Sequence, residues 1–500
     1  MKKFSLLFVA ICCLASSVFA QPITPIQTGI RKGFMAYHVY SRILEGEDGM
    51  HYLMSNNLED GPGKKEKSDY IFTINTNENN VTQSIVAHPE TFNCIRSFES
   101  NDAIISYYIV DNNKSKTYTL YSNSIFKGDK THKWNPEEIM TIPYEKRDNL
   151  MIATSVSPDK TKGMICFLQA QRKGMFKGSK LITFDNQGNG LWDIEPEFNM
   201  DNETFGVLDM AIDNDGTVYA GVYSYNEESK TKRNNQTIHI YQITSNDIVS
   251  QSENINYNIS NGKMIVGQTG NVYVGGYTCS SLTKNEDGTY MVTFDPKTSS
   301  IKTVSHQEFP GDYKETFPGG PMVGFYPNQK YSVIVKDLFE FSNGTTALLG
   351  ELRTYVTVQT QNGSTTYYFT KHVVFSQTNS EGEFDKLTFF DRKAEAGNYV
   401  SITYTPIFAN DQIYVIYPDH MDNFAGKEGF PFKRIMGGAK KYCCTLLTID
   451  NKGEGTYQKL FDAKQSKSQV VRPLSVESDG FIVLDFDKKG TNISKLKADL

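Results

Sequence analysis

The chain is short of cysteine, of tryptophan and of long apolar runs. Seven cysteines occur in 500 residues, and five of them, Cys94, Cys166, Cys279, Cys443 and Cys444, lie beyond the N-terminal stretch. Their number is odd, their spacing is sparse and no C-x-x-C pair occurs. Neither a disulfide framework nor a zinc site is therefore indicated. The thiols read as small core fillers, with a single bridge between neighbouring sheets left open. Tryptophan is scarce, at two residues. Beyond the N-terminus no segment approaches the ~20 continuous apolar residues of a spanning helix, so no membrane span is expected. Positive charge is not in excess: the formal net charge is −6, which excludes a global attraction to nucleic acid. Long segments of period 3.6 are missing too, and with them an α-solenoid.

Signatures of catalysis are equally scarce. No Gly-x-Ser-x-Gly elbow, His-Glu-x-x-His, Walker sequence, dinucleotide fingerprint or sialidase-type Asp box occurs. No catalytic residue, metal ligand or cofactor is assigned.

What is abundant is Tyr (29) and Phe (31), residues that suit pleated, half-buried surfaces. Met1 to Ala20 reads as a secretory signal peptide. Lys2 and Lys3 form its charged region, Phe4 to Leu14 its apolar core, and Val18-Phe19-Ala20 a small-residue cleavage site. Cys12 and Cys13 fit a lipobox poorly, because Ile11 is too large for the position before the cysteine. A mature chain of residues 21–500 is expected outside the cytoplasm, secreted or periplasmic or at the cell surface.

Within it one phrase recurs. Gly216-Thr-Val-Tyr-Ala-Gly-Val-Tyr-Ser224 and Gly270-Asn-Val-Tyr-Val-Gly-Gly-Tyr-Thr278 share the pattern Gly-x-Val-Tyr-x-Gly-x-Tyr-(Ser/Thr). Each follows a polar turn. Eight such hairpin turns punctuate the chain, at Asp48-Gly49, Asn101-Asp102, Asp159-Lys160, Asp215-Gly216, Thr269-Gly270, Asn343-Gly344, Asn410-Asp411 and Asp479-Gly480. Their spacing of roughly fifty to seventy residues, each with room for four short strands, is that of propeller blades. The expected fold is a single all-β propeller of four-stranded antiparallel blades, eight in number, with seven as the alternative. After Val470 only three strands fit, and Pro22 to Ile30 is an extended stretch without a partner. The N-terminal strand is therefore expected to complete the last blade and seal the ring.

Ser157-Pro-Asp-Lys160 and Asp215-Gly-Thr-Val-Tyr219 resemble the repeats of TolB, NHL and quinoprotein-like propellers. The resemblance implies the fold alone; the tryptophan-docking motifs of the quinoprotein type are missing, so no bound quinone is implied.

In such a fold, connections between strands 2 and 3, and from one blade to the next, crowd one face. Lys64, Lys65, Arg172, Lys173, Lys177, Lys232, Arg233, Lys433 and Arg434 fall in long connections assigned to that face, where they would attract an anionic ligand. Asp419, His420 and Asp422 lie together in what reads as a loop, Tyr417 to Phe424, with acid–base or metal-binding character. Asp213-Asn-Asp-Gly216 reads as a hairpin turn rather than a calcium loop, since the later acidic ligand is missing. The function expected is that of a monomeric binding or scaffolding module for a protein or glycan partner. The alternative is a propeller-fold glycan hydrolase or lyase.

Overall fold

Short turns punctuate this chain, and their chemistry is local. In Asp213-Asn-Asp-Gly216-Thr217 the Asp213 Oδ1 accepts from the backbone N–H groups of Asp215 and Thr217, both at 2.9 Å, and Gly216 takes φ +92°. A side chain at that φ costs about 1–2 kcal/mol, which is why glycine holds the position. The same turn recurs at Asp185–Gly188, Asn379–Gly382 and Asp450–Gly453, each with the first side chain capping the N–H groups two and four residues on. Asp213 also accepts from the Tyr219 hydroxyl at 2.7 Å. Its oxygens serve a hairpin, as the sequence predicts, and not a calcium loop.

A computed structural model describes residues 23–500 of the chain apart from 28–41, 46–49, 60–65, 79, 127–131, 145–148, 171–175, 199–203, 230–231, 281–285, 312–331, 361–362, 397–401, 422–432, 435–441, 463, 467–469, 488–489 and 499. These turns join strands into eight antiparallel sheets arranged in a ring. Blades 1 to 7 span residues 42–89, 93–143, 149–194, 204–255, 258–308, 332–396 and 406–462, and blade 8 comprises residues 470–497 with strand Ile23–Gln27. In blades 1 to 7 the first strand in sequence is innermost, in blade 8 the innermost is Val470–Glu477 with Ile23–Gln27 outermost, and consecutive inner strands meet around the axis. Seven of the eight expected hairpin turns join the first and second strands of successive blades; Asp48-Gly49 lies outside the described residues.

Each blade is buried on both faces, and the core is divided accordingly. Eight apolar clusters are present among the described residues, one at each junction between adjacent blades. Period-2 alternation sends neighbours along a strand to different clusters. In blade 2, Ile104 packs with Ile71 and Val86 of blade 1, whereas Ile105 and Tyr107 pack with Ile165 and Phe167 of blade 3. In blade 1, Phe72 and Ile74 pack on Ile482 and Leu484 of blade 8, joining the first blade to the last. This explains second strands that are apolar on both sides, such as Val272–Cys279, buried throughout.

Strand Ile23–Gln27 pairs antiparallel with Gly490–Lys497, Ile23 standing opposite Leu496. The last blade thus contains three C-terminal strands and one N-terminal strand, as expected. The five cysteines are buried and form no disulfide, so no bridge joins the blades.

Two stretches read as loops, the long connection holding Lys232 and Arg233 and the start of Tyr417 to Phe424, are strands instead. Asn226 to Asn235 is mostly the end of a hairpin, Val218–Ser229 with Lys232–Ile243, that runs past its neighbours. Tyr417 to His420 belongs to strand Gln412–His420, paired with Tyr442–Ile449. Pro418 is tolerated there because the inner strand Pro406–Ala409 pairs no farther than Val415, leaving Pro418 on an edge where no N–H is required.

Candidate functional site: the central channel

The inner strands break the apolar alternation of the blades with single charged residues. Register shifts of the bulge type occur between Cys94 and Arg96, Val207 and Asp209, and Val335 and Asp337. An extra residue bends the strand and re-aims the side chain that follows it. Arg96, Asp209 and Asp337, each immediately after a bulge, line a cavity of about 510 Å³ along the axis, bounded by inner strands of blades 2 to 7. Lys263 and Glu340 complete its charged lining, and Met264, Ile265, Leu338, Phe339 and Phe408 give it an apolar wall. Gly267, Gln268 and Pro158 place its end among the short turns between first and second strands. A second cavity of about 340 Å³ shares Arg96, Thr154 and Ser155 and reaches Lys160.

The carboxylates on this lining are committed. Asp209 accepts from Met210 N at 2.9 Å and from Met264 N, across the blade junction, at 3.1 Å. Burial pushes its carboxyl above the usual range, outweighing those N–H groups and the nearby Lys263. Asp337 accepts from Leu338 N at 2.9 Å and pairs with Lys263 Nζ at 2.7 Å. Glu340 accepts from Tyr273 OH at 2.7 Å, Thr269 Oγ1 at 2.6 Å and Thr269 N at 3.0 Å. Each of these contacts crosses from one blade to the next or closes a local backbone group, so the channel wall is also a set of inter-blade ties.

At the junction of blades 6 and 7 lies a largely buried ionic network. Glu351 and Arg392, both with side chains fully buried, form an ion pair. Lys336 Nζ sits 2.9 Å from Glu351 Oε2, and Thr403 donates to the same oxygen at 3.0 Å. The Arg392 guanidinium also packs on the rings of Tyr404 and Tyr417, 5.1 and 4.7 Å from their centroids. A planar, weakly hydrated cation suits such a site better than an ammonium does.

The residues singled out from sequence lie elsewhere. Lys64, Lys65, Arg172, Lys173 and Asp422 fall outside the described residues. Lys177 is in the third strand of blade 3, Phe176–Asp185. Lys232 and Arg233 open the third strand of blade 4, opposite Ser229 and Glu227. Lys433 and Arg434 form a short strand parallel to Ala394 and Glu395, adding a fifth strand to the outer edge of blade 6. Asp419 and His420 are buried at the end of a strand, 4% and 8% exposed, with the Asp419 Oδ1 accepting from His420 N at 2.7 Å. No group of three metal-binding side chains exists among the described residues.

Sequence reasoning missed the channel residues because it followed loop length. The available signal was a charge inside an inner-strand phrase that is otherwise apolar, as in Val207-Leu-Asp209-Met-Ala-Ile212 and Val335-Lys-Asp337-Leu-Phe339.

No family model and no curated protein matches the chain. Solved structures similar to it include the β-propeller domain of the trilobed protease from Pyrococcus furiosus, 10% identical, covering 85% of this chain and 97% of that one with a TM-score of 0.37. The WD40 domain of SCAP from fission yeast is 10% identical, covering 95% and 97% at a TM-score of 0.35. A polysaccharide lyase of an ulvan lyase family is 8% identical, covering 79% and 90% at a TM-score of 0.37. These values carry no functional inference, and the fold rests on the strand pairing: the chain is an eight-bladed β-propeller.

Proposed function

We propose that the protein is a secreted or periplasmic propeller that binds or scaffolds a protein or glycan partner on the face bearing its long connections. One observation carries this reading. In blade 6 the second and third strands, Thr346–Thr360 and Gly363–Thr378, have 15 and 16 residues, whereas the inner strand Ser332–Glu340 has nine and ends its pairing at Arg353. Residues 357–360 and 363–367 therefore extend past both flanking strands, while Val356 and Phe369 at their base stay buried in the cluster between blades 5 and 6. Tyr355, 59% exposed, stands 6.3 Å from Tyr368 across the base of the projecting hairpin. A rigid, partly exposed aromatic pair on a β-ribbon is suited to stacking on a sugar ring or filling a pocket in a partner. Blade 4 projects a second hairpin from the same type of connection, with Lys232 and Arg233 near its tip, and Lys433 and Arg434 border the first.

No helix among the described residues is long and apolar enough to cross a membrane. Export rests on the leader read from sequence.

The reading is tested by arraying the purified protein on acidic and neutral glycans and on envelope proteins, beside Tyr355→Ala. The expected result is selective binding that weakens at least about tenfold in the variant, a loss of ~1.4 kcal/mol. Indifference to every ligand, or retention unaffected by Tyr355→Ala, would remove this face from consideration.

A further inference from the structure

The charged groups of the channel do not balance pairwise. Lys263 is held by Asp337, and Lys160 pairs with Glu99 at 2.7 Å on the floor of the smaller cavity. Asp209 is capped by two backbone N–H groups and Glu340 by three donors. Arg96 is the cation left over. Half-buried, it lines both cavities, and among the described residues no carboxylate is within ion-pair distance of its guanidinium.

An unpaired guanidinium in a confined space calls for an anion, and the surroundings limit which one. The larger cavity presents two cations, Arg96 and Lys263, against three carboxylates, Asp209, Asp337 and Glu340. A dianion such as phosphate would meet that excess, whereas a monovalent carboxylate needs only the guanidinium fork, whose paired N–H groups match two carboxylate oxygens. Thr154 and Ser155 line both cavities beside Arg96 and supply hydroxyl donors, and Phe339 and Phe408 bound the larger space with apolar surface. About 510 Å³ falls within the ~300–1,000 Å³ range of small-molecule sites. We propose that the central channel is a binding site for a small organic carboxylate, its anionic group paired with Arg96 and its body lying against Phe339 and Phe408. The site is separate from the outer face proposed above.

The chemistry has two ready sources, an acidic sugar and the C-terminus of a short peptide, and the test treats them as separate arms. Titration calorimetry and ligand-observed saturation-transfer NMR on the full chain would compare glucuronate with glucose, and N-acetyl-alanine with its amide, with inorganic phosphate as the dianion. At least one carboxylate should bind, its neutral counterpart should be silent, and phosphate should be weaker. Arg96→Gln should lower affinity about tenfold or more, and Arg96→Lys, which keeps the charge without the fork, by a smaller factor. With acetate added as a carboxylate that lacks a body, Phe339→Leu should weaken glucuronate and N-acetyl-alanine while sparing acetate, giving a readout that does not depend on the Arg96 variants folding. Equal binding of acid and neutral forms, unchanged affinity in Arg96→Gln, or no binding by any carboxylate would overturn the assignment. Tyr355-dependent partner binding would survive that result, so the two proposals fail independently.

Discussion

At the scale of single residues, the propeller is held on its short-turn face by side chains that reach from one blade's turn to the next. Asp411 is the clearest. Its Oδ1 accepts from Ser342 N at 2.7 Å, and its Oδ2 from Ser342 Oγ and Asn451 Nδ2, both at 2.8 Å. Burial pushes this carboxyl up, but the bonds from Ser342 and Asn451 outweigh it and hold it below the usual carboxylate range. The sign follows: a carboxyl lowered in the folded state stabilises while ionised, above the unfolded value of 3.8, and that contribution is lost as pH falls through the folded value. Asp411→Ala should cost roughly 1–2 kcal/mol at pH 7, because two donors on Ser342 of blade 6 and one on Asn451 of blade 7 lose their acceptor. The difference from wild type should shrink towards zero once acid titrates both states. Urea denaturation at pH 7 and at pH 3 checks both parts; a gap of equal size at the two values would contradict the linkage.

At the scale of elements, the N-terminal strand seals a sheet made otherwise of the last residues of the chain. Ile23 is 6% exposed, in a cluster with Phe481, Val483 and Leu496. Removing residues 21–27 would strip that side chain from the core and leave Gly490–Lys497 as an open edge, a template for pairing with another chain. The truncated protein should lose about 2–4 kcal/mol in chemical denaturation and self-associate in size-exclusion chromatography. A truncated chain as stable and as monodisperse as the full one would show that the strand is an accessory.

This element was legible in the sequence by counting: three strands after Val470 and one unpartnered extended segment at the other end. The first-to-second-strand turns were legible as well, since positive φ at Gly216, Gly270, Gly344 and Gly480 is a demand that a residue type reveals. The blade 4 and blade 6 hairpins were not. Alternation in Gln236-Thr-Ile-His-Ile-Tyr241 marks a strand, but nothing in Lys232-Arg-Asn-Asn235 marks its continuation beyond the ring, because backbone pairing by itself imposes no apolar pattern there. The burial of Asp419 and His420 was hidden for a related reason: Pro418 reads as a strand terminator unless its position on an edge is known.

At the scale of the molecule, the ring is closed by pairing between the two ends of the chain, so the order of blades around the axis does not require the natural termini. Ile23 lies opposite Leu496 in an antiparallel pair, and a short turn can bridge Lys497 to Ile23. A permutant joined there and opened between Pro143 and Asn149, at the boundary of blades 2 and 3, keeps every sheet intact. It should show the native near-UV circular dichroism and one cooperative thermal transition. A permutant that only aggregates would mean that the natural connectivity, and not the closed ring, dictates folding.

By itself the sequence determined the turns, the four-strand unit, its repetition around a ring and the sharing of the last blade, while the choice of eight blades over seven came from the strand pairing. Each is written in short-range chemistry: glycine where φ is positive, aspartate or asparagine where backbone N–H groups need an acceptor, apolar residues at period two. Only the tertiary structure decided which charges face the axis. Arg96, Asp209, Lys263 and Asp337 come from blades 2, 4, 5 and 6, and no local pattern records how far around the ring they stand or which of them find partners. That outcome depends on bulges that re-aim single side chains and on the closing of the ring, which sets residues far apart in the chain across a common cavity.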